Sequence, residues 1–84
     1  MAKIRVIKIP PGETPEWVRR EWLGVELVIE GTGAINGVYV VSLNEAIAAL
    51  ECKESRAAQF WGRHNYSLVA KKLFFDSACC EFLG

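Results

Sequence analysis

The sequence predicts an α+β fold: a small, curled antiparallel sheet of about five strands, closing toward a partly open SH3-like barrel, packed by two helices, with a further short helix near the N-terminus. Three observations predict it. Runs rich in β-branched and aromatic residues recur at Lys3–Ile9, Val25–Glu30, Val38–Val41, Lys72–Asp76 and Cys79–Leu83. Between the third and fourth runs, apolar residues switch to helical spacing. The resulting order β, short α, β, β, α, α, β, β needs no parallel crossover, which disfavours a doubly wound fold. A chain of 84 residues forms one domain, residues 1–84, because so short a chain buries only about 60% of its unfolded surface and cannot support two cores.

The first strand, "KIRVIKI", stops at Pro10-Pro11-Gly12. Its alternation is imperfect, with Ile4 and Val6 on one face and Ile7 and Ile9 on the other, so a bulge near Val6–Ile7 or burial on both faces is expected. "PEWVRREW" then reads as a helix of about two turns from Pro15 to Leu23: Thr14 supplies a cap, Pro15 suits the first position, Glu16 favours the dipole and Gly24 closes it. At about 100° per residue, Val18 and Trp22 share a face while Trp17 points elsewhere, beside Arg20. Trp22 is thus core, and Trp17 is a rim residue or half of an exposed aromatic–cation pair with Arg20.

"VELVIE" alternates cleanly, placing Val25, Leu27 and Ile29 inward. Asn36-Gly37 then leads into "VYVV", which predicts an antiparallel hairpin with a flexible loop. Ser42-Leu43-Asn44-Glu45 has the pattern of a capping box, opening a helix whose apolar face is Leu43, Ala46, Ile47 and Leu50. A second helix begins near Ser55, with Ala57, Phe60, Trp61 and His64 on one face, and nothing from Cys52 to Glu54 forbids one bent helix instead. Gly62 and Asn65 are terminator types; from Tyr66 the chain reads as extended, and "KLFFD" and "CCEFL" can pair through Asp76-Ser77-Ala78.

Ten basic and ten acidic side chains cancel and are interspersed, so no long-range field gathers nucleic acid or an anionic membrane. The longest uncharged stretch, Gly31 to Asn44, is polar and too short to span a bilayer, and the N-terminus lacks a signal-peptide pattern. Three cysteines without regular spacing fit reduced thiols, and the expected location is the cytoplasm.

Catalytic and cofactor patterns are weak throughout. Gly31, Gly33 and Gly37 do not make G-x-G-x-x-G, and a strand follows them instead of a helix. Cys52, His64, Cys79 and Cys80 are the residue types of a Cys3His zinc site, but adjacent cysteines in a strand point to opposite faces. Ser67, His64 and Asp76 spell a serine triad with no nucleophile elbow, and Glu51, Glu54 and Glu81 read as surface charges. The expectation is a protein that is not an enzyme, with no catalytic, cofactor-binding or metal residues.

The succession "PEWVRREWLG", "VYVV", "AIAAL", "AAQFW" and a closing "LFF…CC" resembles a group of small bacterial proteins with a W-V-R-x-x-W-x-G opening and a late aromatic–cysteine ending. The chain departs from them in the short "EGTGAING" connection. The group has no assigned function, so the resemblance implies a free-standing domain and assigns no role to any residue.

The leading expectation is a non-catalytic binding or protein-interaction module, with Trp17, Arg19 and Arg20 as the contact patch and a protein, or the chain itself, as partner. A homo-oligomeric structural subunit and a small-molecule or metal-binding domain are the alternatives.

Overall fold

Ile4, Val6, Val18, Trp22, Leu27, Val41, Leu43, Leu50 and Phe75 are nearly or wholly withdrawn from solvent and form the centre of the core. The elements around it come from a computed structural model that describes residues 1–64 and 71–84, without the side chains of Arg63 and His64. They are β1 (Lys3–Val6), α1 (Glu16–Arg20), β2 (Glu26–Val28), β3 (Val38–Ser42), α2 (Leu43–Cys52), α3 (Ala57–His64), β4 (Lys72–Asp76), a 3-10 turn (Ser77–Cys79) and β5 (Cys80–Phe82). The fold is α+β, with five antiparallel strands among the described residues, as the sequence predicts.

Among the described residues the strands form two sheets, not one, and no closed barrel. One sheet has the order β2-β1-β5 and the other is the pair β3-β4. The predicted β2–β3 hairpin is therefore absent. Asn36 (φ 53°) and Gly37 (φ 80°) do adopt the positive angles of a tight hairpin turn, but the turn closes only Ile35 onto Val38, through reciprocal backbone bonds of 2.8 and 3.1 Å. The two sheets meet where the Glu30 amide donates to the Val40 carbonyl at 2.8 Å and Lys72 Nζ reaches Glu30 Oε1 at 2.8 Å.

The predicted β4–β5 hairpin is also replaced. Asp76 Oδ1 accepts from the Ala78 amide at 2.9 Å and caps the 3-10 turn, which carries the chain from one sheet to the other. β5 then pairs with β1, with Ile4 opposite Phe82 and Val6 opposite Cys80.

β1 ends at Val6, short of the predicted Ile9. The amides of Ile7 and Lys8 both donate to the Cys79 carbonyl, at 2.8 and 3.2 Å, so two residues stand opposite one and the Ile7 side chain turns outward. This is the break that the imperfect alternation anticipates.

α1 is shorter than predicted and starts one residue later. Pro15 is its N-cap, and no side chain caps it; Thr14 does not serve. Val18 and Trp22 bury as their helical spacing requires, and Gly24 closes the turn at φ 80°, its amide donating to Val6 at 2.8 Å.

α2 and α3 are separate helices. The Ser55 amide donates to Leu50 at 2.9 Å and the Glu54 amide to Glu51 at 3.0 Å, the paired bonds of a Schellman ending, with Glu54 at φ 58° where glycine is usual. Ser55 Oγ then accepts from the Ala57 amide at 3.1 Å and opens α3. Gly62 lies inside α3 and does not terminate it; Asn65 and the extended reading from Tyr66 to Ala70 lie outside the described residues.

Candidate interaction surface

The site is built on the side of α1 that the core does not use. Burial of Val18 and Trp22 forces Trp17 outward, where it is 48% exposed, while Trp22 and Trp61 are at most 8% exposed. Trp17 stands edge-on to Phe60, with ring centroids 6.3 Å apart. The rings continue inward from Phe60 to Trp61 at 5.4 Å, to Trp22 at 6.2 Å and to Phe75 at 5.1 Å. Contacts of this kind add to simple area burial and hold the outermost indole in one orientation.

The three sequence-predicted patch residues take different positions. Trp17 is at the surface. Arg20, one turn along the same helix, is drawn to Glu16 Oε2 at 2.7 Å, an exposed pair four residues apart. Arg19 is turned into the protein, where Nε donates to the Thr14 carbonyl at 2.9 Å and Nη1 to the Pro10 carbonyl at 3.1 Å, so it fastens the loop between β1 and α1. The cation over the Trp17 ring is Arg56, 5.9 Å from its centroid, and not Arg20. Sequence reasoning missed Arg56 because it precedes α3, outside the helical repeat, and nothing in its spacing indicates α1 as its neighbour.

The residues considered for metal or nucleophilic chemistry are dispersed. Cys52 is exposed at the end of α2, and Cys79, the last residue of the 3-10 turn, and Cys80, the first of β5, are half-buried. Burial, then the neighbouring Cys79, then Asp76 push the Cys80 thiol up to about 11, so it carries little thiolate at neutral pH. Among the described residues no three His, Cys, Asp or Glu side chains gather as a metal-holding group. Ser67 and the His64 side chain lie outside the described residues.

Charge on the outer side of the first sheet is organised around Arg5, which bridges Glu26 and Glu81 at 2.8 Å each and so ties together its three strands. Both carboxylates raise the Arg5 pKa, Glu26 more strongly. A groove of about 550 Å³ between β2 and α2 is lined by Leu23, Val25, Ala48, Ala49, Cys52 and Lys53. Lys53 Nζ is held there by the Glu21 carbonyl at 2.7 Å. Among the described residues no helix is long and apolar enough to cross a membrane.

No protein-family model, curated protein or solved structure matches the chain.

Proposed function

We propose that the chain is a small protein-interaction module of the cytoplasm that binds its partner through Trp17, with Arg56 and Arg20 beside it. The observation that carries this reading is the half-exposed indole held between Phe60 and Arg56, in a protein whose other two tryptophans are buried. Tryptophan and arginine are the residue types that dominate binding energy at protein interfaces, and an indole already fixed by its neighbours loses little freedom when it is covered. The absence of net charge favours a protein over nucleic acid as the partner.

The test uses Trp17→Ala beside the wild type. A partner recovered with the wild-type chain is purified and its affinity for both proteins measured. The expected result is binding weakened about tenfold or more, with unfolding free energy changed by less than about 1 kcal/mol. Strong destabilisation would make Trp17 a packing residue, and equal affinity for both proteins would remove it from the interface.

A further inference from the structure

Among the described residues β4 pairs on one side only, with β3. The Ser77 amide donates to Gly37 at 2.8 Å, and this sets the parity of the β3–β4 ladder: Tyr39/Phe75 and Val41/Leu73 exchange bonds, whereas Val38/Asp76, Val40/Phe74 and Ser42/Lys72 do not. The outward Val40 carbonyl, accepting from Glu30, agrees with that parity. The backbone N–H and C=O groups of Lys72, Phe74 and Asp76 therefore point away from β3; the Asp76 carbonyl serves the 3-10 turn that Asp76 caps, and among the described residues the Phe74 N–H and C=O, the Lys72 C=O and the Asp76 N–H have no backbone partner. The Pro10–Thr14 loop, across a cleft of about 160 Å³ from Leu73, Phe74 and Phe75, makes no hydrogen bond to this edge. Leu73 and Phe75 are buried on the core face; Phe74, on the opposite face, is 65% exposed.

We infer that this edge takes a second copy of the same chain, joining the two β3-β4 pairs into one four-stranded antiparallel sheet with its two-fold axis at Phe74. In that register Phe74 faces the partner's Phe74, and Lys72 faces the partner's Asp76 on either side of the axis. The Phe74 N–H and C=O then exchange bonds with those of the partner's Phe74, and on either side of the axis the Asp76 amide donates to the Lys72 carbonyl of the other copy. Facing aromatics and facing opposite charges are the favourable cross-strand combinations. Lys72 Nζ, bound to Glu30, keeps further N–H donors for the new carboxylate, and Asp76, with one oxygen on Ala78, keeps the other free.

The remaining edges lack this self-complementarity. A two-fold about Glu26 in β2 sets like charges face to face, and the Val28 amide there is already held by Glu45. In β5 a two-fold about Glu81 has the same fault, and the Phe82 ring is already stacked on Tyr39 with centroids 6.2 Å apart. The outer Val40 carbonyl of β3 is taken by Glu30. β4 has neither proline nor glycine to blunt its edge, and its two charges match across the axis instead of repelling. The proposed contact residues Trp17, Arg56 and Arg20 lie outside β4, so this inference does not rest on that patch.

Sedimentation of the reduced, full-length protein from micromolar to millimolar concentration tests it. The expected result is a reversible monomer–dimer equilibrium that Phe74→Lys shifts to monomer while far-ultraviolet circular dichroism is unchanged. Asp76→Asn, which keeps an oxygen for the Ala78 amide and removes the charge facing the partner's Lys72, weakens the dimer by about threefold or more. Should Phe74→Lys fail to fold, Asp76→Asn carries the test. A wild-type monomer throughout, a dimer equally tight in Phe74→Lys, or one equally tight in Asp76→Asn would overturn the inference.

Discussion

Glu45 Oε2 accepts a hydrogen bond from the Val28 amide at 3.2 Å, so a side chain from the first turn of α2 covers the outer edge of β2. The motif around it is a capping box in sequence, and Ser42 Oγ does accept from the Glu45 amide at 3.1 Å. The carboxylate itself serves the neighbouring strand. Glu45→Ala should cost about 1 kcal/mol in urea unfolding, the usual net worth of one such bond. It should also speed hydrogen exchange at the Val28 amide selectively, with Glu45→Gln restoring part of the protection. Unchanged Val28 exchange in Glu45→Ala would show that the bond is not maintained in solution.

Glu54 sits at φ 58° in the Schellman ending of α2, a conformation that disfavours any residue with a Cβ. Glu54→Gly should therefore raise the stability of the protein by up to about 1 kcal/mol, seen as a higher urea midpoint with an unchanged slope. A lower midpoint would mean that the Glu54 side chain contributes more than its backbone strain costs.

Gly24 and Gly33 offer a matched comparison, because a Cβ added at either meets nothing within 4 Å. Gly24 has φ 80° while Gly33 lies outside the left-handed region. Gly24→Ala should destabilise by about 1 kcal/mol, whereas Gly33→Ala should stabilise by about 0.4–1 kcal/mol through the unfolded chain. Thermal melts of the two variants should move in opposite directions.

The Cys80 thiol, lifted from 9.0 to about 11 chiefly by burial, holds its proton in the folded protein over a range in which the unfolded chain ionises. Its contribution to stability is complete below about pH 9 and is lost as the pH rises toward about 11. Cys80→Ala should flatten that part of the pH–stability curve. In maleimide labelling near pH 8, exposed Cys52 should react well before Cys80.

Features that a few neighbouring residues decide are legible in this sequence. The alternation of Val25, Leu27 and Ile29 places each of them in the core, Ser42 caps α2, and Asn36-Gly37 makes a tight turn. Strand pairing is not decided locally. β2 and β3 are neighbours in the chain and carry a hairpin signal between them, yet β2 pairs with β1 and β3 with β4. Burying both apolar faces against the helices outweighs the short connection. The candidate surface divides in the same way: helical periodicity alone puts Trp17 outside and Trp22 inside, but the contacts of Arg19 with the loop carbonyls and of Arg56 with Trp17 depend on how distant segments meet.

The pairing of β1 with β5 has a consequence in time. Arg5 and Glu81, which face each other across that pair, are 76 positions apart. At ribosomal speeds of about 5–20 residues per second, β1 waits about 4–15 s for the strand that completes its sheet. During synthesis the central strand is therefore the last to acquire both neighbours, and a contact spanning this much of the chain makes the final closure slow relative to formation of α2 and α3.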